Sequence, residues 1–180
     1  MINLWRDLSP GRTPPEEVTA VIEIPSGSRN KYELDKTTGL MKLDRVLFSA
    51  VHYPGDYGFI PRTLHEDNDP LDVLVLVKEQ TFSGCMIDVR PIGVLRMLDR
   101  GEPDDKILAV PLHDPYSDEF FDIADIPRHV LKEVEYFFLT YKDLEGKRVH
   151  INGWEKSDKA MQVVTESIAR YDATYLNQGP

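Results

Sequence analysis

The feature that most constrains this chain is an acidic segment that leads directly into an apolar run. Asp67, Asp69 and Asp72 fall within six residues, and the unbroken apolar run 73–77 follows at once. Such a run after turn residues predicts a buried strand, with Asp67 and Asp69 on the preceding loop and Asp72 at its start. Three anions at the end of a hydrophobic strand are costly unless a cation binds them. Carboxylates without Cys or His favour Mg²⁺, Mn²⁺ or Ca²⁺ over zinc.

This segment has two other interpretations. A calcium loop of the EF-hand type is excluded by spacing, because its later ligand, glycine and glutamate positions would fall on Leu71, Asp72 and Lys78. A solvated acidic turn that caps a strand remains open on these residues alone.

Length and composition limit the class of protein. The 180 residues predict a single domain, 1–180, that buries a sizeable core without disulfides, since Cys85 is the only cysteine. We find no signal-peptide pattern and no run of about 18 apolar residues, so the expected location is the cytoplasm. The net charge of -10 argues against nucleic acid and against an anionic membrane as partners.

Hydrophobic periodicity predicts many short strands and two late helices. The expected strands are 18–24, a hairpin of 31–35 and 40–48, the core strand from 72, then 86–98, 107–110 and 149–154, and the expected helices run from about 127 to 141 and from 157 to 171. Pro91 indicates an edge or a bulge within its strand. No helix or strand is predicted for the aromatic, glycine-rich stretch 53–61. The pattern predicts an α+β, mainly β domain whose sheet closes into a barrel.

A second acidic loop, 99–106, also lies at a strand end, so the two loops are expected to converge. Carboxylates for metal ions, cations for phosphate oxygens and neutral phenols together indicate phosphoryl transfer. The residues of these kinds outside the first loop are Asp99, Glu102, Asp104, Asp105, Lys31, Arg45, Lys106, Lys142, Tyr53, Tyr57 and Tyr141. Taken singly, Lys31 and Arg45 are more typical of solvent-facing charges and the tyrosines of core aromatics.

The segment 67–73 has the pattern Asp-x-Asp-Pro-x-Asp followed by an apolar residue. Further short motifs accompany it in order at 22–25, 31–35, 44–45, 53–58, 91–95 and 141–145. Together they cover most of the chain, which resembles the soluble family I inorganic pyrophosphatases of the short prokaryotic type. The resemblance implies Mg²⁺-dependent hydrolysis of pyrophosphate, with Mn²⁺ as an alternative ion. It also implies a small closed OB-like β-barrel with two flanking helices in the C-terminal half, and a homohexamer.

The resemblance also implies roles for the acidic residues. Asp67, Asp72 and Asp104 would hold the ion that activates water, and Asp72 would bridge to a second ion. Asp99 and Asp104 would bind the ion that arrives with the substrate. Asp69 would act as the general base.

The remaining roles implied by the resemblance concern the substrate. The residues expected to contact phosphoryl groups or assist catalysis are Lys31, Arg45, Tyr57, Lys106, Tyr141 and Lys142, with Glu23 and Glu33 in a supporting layer around the metals. The chain departs from the family pattern at Asp105 and at Glu102. Whether either carboxylate joins the metal site is open at this point.

Two further function classes stay in view. Another Mg²⁺-dependent phosphohydrolase, such as one that acts on nucleotides, would need a pocket that stacks a base. A non-catalytic OB-like binding module would normally carry a basic groove for nucleic acid, which a net charge of -10 disfavours.

Overall fold

A computed structural model describes residues 2–176. Its strands are β1 (Val18–Ile24), β2 (Asn30–Leu34), β3 (Met41–Val46), β4 (Asp56–Phe59), β5 (Asp72–Val75), β6 (Met86–Asp99), β7 (Glu102–Pro103), β8 (Lys106–Pro111) and β9 (Val149–Lys156), and its α-helices are α1 (Arg128–Thr140) and α2 (Ser157–Tyr171). Both predicted helices and every predicted strand are therefore confirmed, with ends displaced by a few residues. None of the helices within 2–176 combines the length and apolarity needed to cross a membrane.

The strands of the main sheet close into a ring. β1 pairs with β4, β4 with β5, β5 with β8 and β8 with β6, and β6 returns to pair with β1. All of these pairings are antiparallel except β5 with β8. The closed path confirms the predicted class: an α+β, mainly β domain with a small OB-like barrel and two helices in the C-terminal half. The hairpin of β2 and β3 forms a separate two-stranded sheet.

β6 can take part in several pairings because it is long and bent. Its 14 residues pair in succession with β1, β8 and β9. The register against β8 shifts between Pro91 and Gly93, so the bulge indicated by Pro91 is confirmed. A bulge bends a strand and increases its twist, which lets one strand serve two parts of a closing sheet.

The hydrophobic core occupies the inside of the ring and extends to α1 on one side and to α2 on the other. β1, β5 and β8 are almost entirely buried, as expected of strands covered on both faces. The apolar stripe of α1 packs against two tyrosines. The ring centroids of Phe137 and Tyr53 are 4.7 Å apart, and those of Phe138 and Tyr57 are 6.0 Å apart. α2 buries Ala160 and neighbouring apolar side chains on the other side. Aromatic packing of this kind makes the α1 side of the barrel a firm support for the tyrosines.

Sequence patterning missed β4 and the two-residue β7, which lies in the segment expected to be the second acidic loop. The four residues of β4 are all buried, so no polar–apolar alternation marks it. Gly58 is required there, because a Cβ atom would collide with the carbonyl oxygen of Val21 on β1. The buried Asp56 carboxylate accepts hydrogen bonds from the backbone N–H groups of Ser26 (2.8 Å) and Thr81 (3.0 Å), which fixes two loops around this strand.

Candidate active site

A cavity of about 400 Å³ opens where the hairpin of β2 and β3 faces the ends of β5, β6 and β8. The structure brings every predicted site residue to this one cavity. Its lining includes Glu23, Lys31, Glu33, Arg45, Tyr57, Asp67, Asp69, Asp72, Asp99, Asp104, Lys106, Tyr141 and Lys142. Sequence positions more than a hundred residues apart therefore meet at one site, as the convergence of the two acidic loops predicts.

Five aspartates line the cavity, and we name this group the acidic wall: Asp67, Asp69, Asp72, Asp99 and Asp104. Asp72 is the first residue of β5, and Asp99 is the last residue of β6. The loop before β5 is shaped by its own side chains, since the Asp69 N–H donates to Asp67 Oδ1 at 3.0 Å. Buried strands thus hold two of these carboxylates directly and a compact turn holds two others.

Lys106 lies at the centre of the acidic wall. It begins β8 in register with Asp72, is 3% exposed, and its ammonium group contacts both Asp72 and Asp104. Burial raises the pKa of Asp72 although Lys106 opposes that effect. Burial also opposes ionisation of Asp104, but Lys106 outweighs it and the pKa of Asp104 is lowered. The pKa of Lys106 is raised: burial favours its neutral form, but the two carboxylates outweigh that effect.

Three cations also line the cavity, and we name this group the basic wall: Lys31, Arg45 and Lys142. Lys31 and Arg45 are cross-strand partners on β2 and β3, so their side chains share a face. Lys142 follows α1, and its ammonium group donates to Asp99 Oδ2 at 2.7 Å. Burial lowers the pKa of Lys142 although Asp99 opposes that effect.

Each cation of the basic wall has a carboxylate partner. Lys31 contacts Glu33, and Arg45 contacts Asp44 and donates through Nε to Glu145 Oε1 at 2.8 Å. The pKa of Arg45 is raised because these carboxylates outweigh the effect of its partial burial. A phosphate group that binds here must therefore exchange places with protein carboxylates.

The two site tyrosines are neutral donors held by the aromatic core. Tyr57 and Tyr141 are 8% and 4% exposed, and burial raises both pKa values well above the usual range. The ring of Tyr141 stacks on Phe137 with centroids 5.2 Å apart. A buried phenol that keeps its proton can donate a hydrogen bond to an anion without adding negative charge.

Glu23 differs from the other carboxylates of the cavity. Burial raises its pKa to about 8, although the carboxylate accepts a hydrogen bond from the Leu34 N–H at 2.7 Å. A carboxyl group with such a pKa carries its proton through much of the neutral range. This is compatible with a supporting role next to the metal ligands, which stays a prediction.

The acidic wall has the chemistry of a divalent-metal site. Its donors are all carboxylate oxygens, and Asp99 Oδ1 is buried without a hydrogen-bond partner among the described residues. Within 2–176, no three acidic, His or Cys side chains already form a compact ligand cluster. Lys106 contacts both Asp72 and Asp104, so its ammonium group occupies the space between these two carboxylates. The donor set fits a hard cation that would compete with this lysine.

The structure also shows cavity residues that the sequence analysis missed. Lys36 contacts Asp69 from the hairpin, Lys147 donates to Glu145 Oε2 at 2.9 Å, and Arg100 lies at the rim. No local pattern marks these cations, because each reaches the cavity through a turn. The sequence left open whether Glu102 or Asp105 joins the metal site. In the structure Glu102 lines the cavity and Asp105 does not.

Comparisons with known proteins agree on one family. A family model described as inorganic pyrophosphatase matches residues 20–172, a range that contains both acidic loops and the hairpin. The inorganic pyrophosphatase of Haloferax volcanii is 49% identical over 97% of this chain and 99% of its own length. That of Geobacillus stearothermophilus is 53% identical over 86% and 94%. The crystal structure of the Thermus thermophilus inorganic pyrophosphatase matches with a TM-score of 0.92 and 46% identity, over 95% and 99% of the two chains.

Proposed function

The chain belongs to the inorganic pyrophosphatase family, and we propose that it hydrolyses inorganic pyrophosphate to two orthophosphates in a Mg²⁺-dependent reaction. The observation that carries the proposal is a single cavity lined by both the acidic wall and the basic wall. Pyrophosphate needs both, because its charge is balanced partly by metal ions and partly by protein cations.

Four carboxylates of the acidic wall, all except Asp69, would hold the metal ions. Asp67, Asp72 and Asp104 would bind one Mg²⁺, Asp72 would share a second, and Asp99 with Asp104 would bind the ion that accompanies the substrate. When bound, the ions supply positive charge and make water acidic enough to lose a proton near neutral pH. Glu23 and Glu33 would support these ligands, and Mn²⁺ is an alternative ion.

Asp69 would accept the proton of the attacking water. Its side chain is more exposed than the other carboxylates of the wall, with a side-chain exposure of 63%. Its only charged contact in the part of the chain that the structure describes is Lys36. A carboxylate that is not enclosed by ligands or buried cations is free to receive a proton, as a general base must be.

The cations of the basic wall would bind the phosphoryl oxygens. Lys31, Arg45 and Lys142 would leave their carboxylate partners and donate to the substrate, and the Tyr141 hydroxyl would donate beside them. Tyr57 and Lys106 would stabilise charge near the bond that breaks. Preorganised donors of this kind lower the barrier because charge builds up on these oxygens in the transition state.

Three finer features are proposed from the resemblance to prokaryotic members: one domain spanning 1–180, a cytoplasmic location and a homohexamer. Exposed apolar side chains on the hairpin, Leu43, Val46 and the neighbouring Phe48, are compatible with contacts between subunits.

The test is release of phosphate from pyrophosphate, measured with Mg²⁺ and again with EDTA, with ATP as a competing substrate. We expect rapid release that EDTA abolishes and almost no hydrolysis of ATP. The exposed-surface variant Asp118→Asn is the matched control and should retain full activity. Absence of release from a folded protein with several divalent metals would contradict the proposal, and preference for ATP would favour a nucleotide phosphohydrolase.

A further inference from the structure

Asp105 points away from the cavity that its two neighbours line. Asp104 and Lys106 both contribute to the lining, whereas Asp105 does not and is 6% exposed. This is the alternation expected of an extended segment entering a strand. The Asp105 carboxylate instead contacts Arg96 Nη1 at 2.5 Å.

His65 connects Asp105 to the first acidic loop. The backbone N–H of Asp105 donates to His65 Nε2 at 3.3 Å, and the imidazole is 5% exposed. Nε2 is therefore the acceptor of this hydrogen bond, and Nδ1 is buried without a hydrogen-bond partner among the described residues. The backbone of the same histidine belongs to the other loop, because its N–H donates to the Asp69 carbonyl at 2.7 Å and its carbonyl accepts from Asn68 at 3.1 Å.

The far end of this connection is fixed in the sheet. Arg96 lies on β6 and donates to Asp105 through one nitrogen and to Glu155 Oε2 on β9 through Nε, the latter at 2.7 Å. A continuous series of contacts thus runs from the first acidic loop through His65 and Asp105 to β6 and β9.

We propose that His65 is a positioning residue that sets the separation of the two acidic loops, with Asp105 as its anchor, so that Asp67 and Asp72 can share a Mg²⁺ ion with Asp104. This inference rests on the function proposed above. Mg²⁺ requires near-ideal octahedral geometry, so ligands on separate loops bind it well only if the loops are held in place. A buried N–H group that loses its acceptor costs free energy, which would push the loops apart.

The experiment measures Mg²⁺ binding to the metal-free protein by calorimetry, together with the melting temperature in EDTA. We expect His65→Leu to raise the Mg²⁺ dissociation constant about 10–100-fold, the usual effect of removing an outer-shell partner. His65→Gln, whose side-chain oxygen can accept from the Asp105 N–H, should recover part of the affinity. Turnover at saturating Mg²⁺ should fall far less than it does in Asp69→Asn.

Glu155→Gln is the matched control, because it alters the network beyond Arg96 and leaves the His65 contact in place; its Mg²⁺ dissociation constant should stay within about twofold of the unmodified protein. Should His65→Leu fail to fold, Asp105→Asn weakens the anchor and should raise the dissociation constant about 3–10-fold.

A lower melting temperature in EDTA with an unchanged Mg²⁺ dissociation constant would overturn the inference, since it would make His65 a structural residue only. The proposed function would survive that result if the unmodified protein binds Mg²⁺ and hydrolyses pyrophosphate. Failure of the unmodified protein to bind Mg²⁺ would overturn both.

Discussion

The two walls of the cavity are attached to different parts of the fold. The acidic wall is attached to β5, β6 and β8, whose residues are mostly buried inside the barrel. Two of the three cations of the basic wall lie on the hairpin of β2 and β3, which is a separate and largely exposed sheet. Asp72, Asp99 and Asp104, which lie at or next to these strand ends, are therefore held by the core, whereas these cations are held mainly by ion pairs.

This difference matches the demands of the two kinds of ligand. Metal ions accept little variation in distance, so their ligands belong on a packed framework. Phosphate oxygens can be reached by long flexible cations from several positions. The proposed binding of substrate would also require the basic wall to exchange partners, because Lys31, Arg45 and Lys142 all pair with carboxylates in this structure. A cation on a less constrained element can make that exchange at lower cost.

The largest effect is expected from replacing Asp69, the proposed general base of the acidic wall. Asp69→Asn should lower turnover about 10²–10⁴-fold, because the amide cannot take a proton from water. The Mg²⁺ dissociation constant should change little, as Asp69 is not among the proposed ligands. Steady-state kinetics and calorimetry check both parts, and full activity would remove Asp69 from this role.

A smaller effect is expected from the basic wall. Arg45→Ala should lower kcat/KM for pyrophosphate about 10–10³-fold, because a charge-assisted contact to the phosphoryl oxygens is lost. Arg45→Lys keeps the positive charge but lacks the planar guanidinium group. Its kcat/KM should lie between the values of the unmodified protein and of Arg45→Ala. Kinetics that match the unmodified enzyme would return Arg45 to the role of a surface charge.

The pH dependence of stability tests the electrostatic environment of Glu23 in the absence of substrate. The folded carboxyl group has a pKa of about 8 against 4.5 for the free side chain, so folding retains its proton between these values. The free energy of unfolding of the metal-free protein should therefore fall as pH rises from about 4.5 to 8, by about 1–3 kcal/mol. Denaturant unfolding at several pH values in this range measures the dependence of stability on pH. The Glu23→Gln variant should show a weaker dependence. An unchanged dependence in that variant would mean that other groups cause it.

The contact between Lys36 and Asp69 joins the hairpin to the acidic wall and should matter least. Both side chains are well exposed, at 43% and 63%, and exposed ion pairs contribute about 0–1 kcal/mol. Lys36→Met should therefore change kcat by less than about fivefold. A loss comparable with that of Asp69→Asn would mean that this lysine takes part in catalysis and that the hairpin is more than a carrier of substrate-binding cations.

Sequence patterning predicts much of this molecule because its signals are local. The apolar run after Asp72 and the stripe that contains Phe137 depend on residues close in the chain, and both appear as predicted. The acidic residues at strand ends predicted a convergence that the cavity confirms. β4 was missed because a strand buried on both faces, interrupted by glycine, carries no alternation.

By itself, the sequence determined the strand and helix order, the acidic segment and the class of chemistry, since these follow from short-range spacing of residue types. The resemblance in its motifs determined the family. Only the tertiary structure decided which carboxylate of the second loop faces the cavity and which one binds Arg96. It alone brought Lys36 and His65 to their partners. Such contacts join residues distant in the chain, and their geometry depends on how the barrel closes, which no local pattern records.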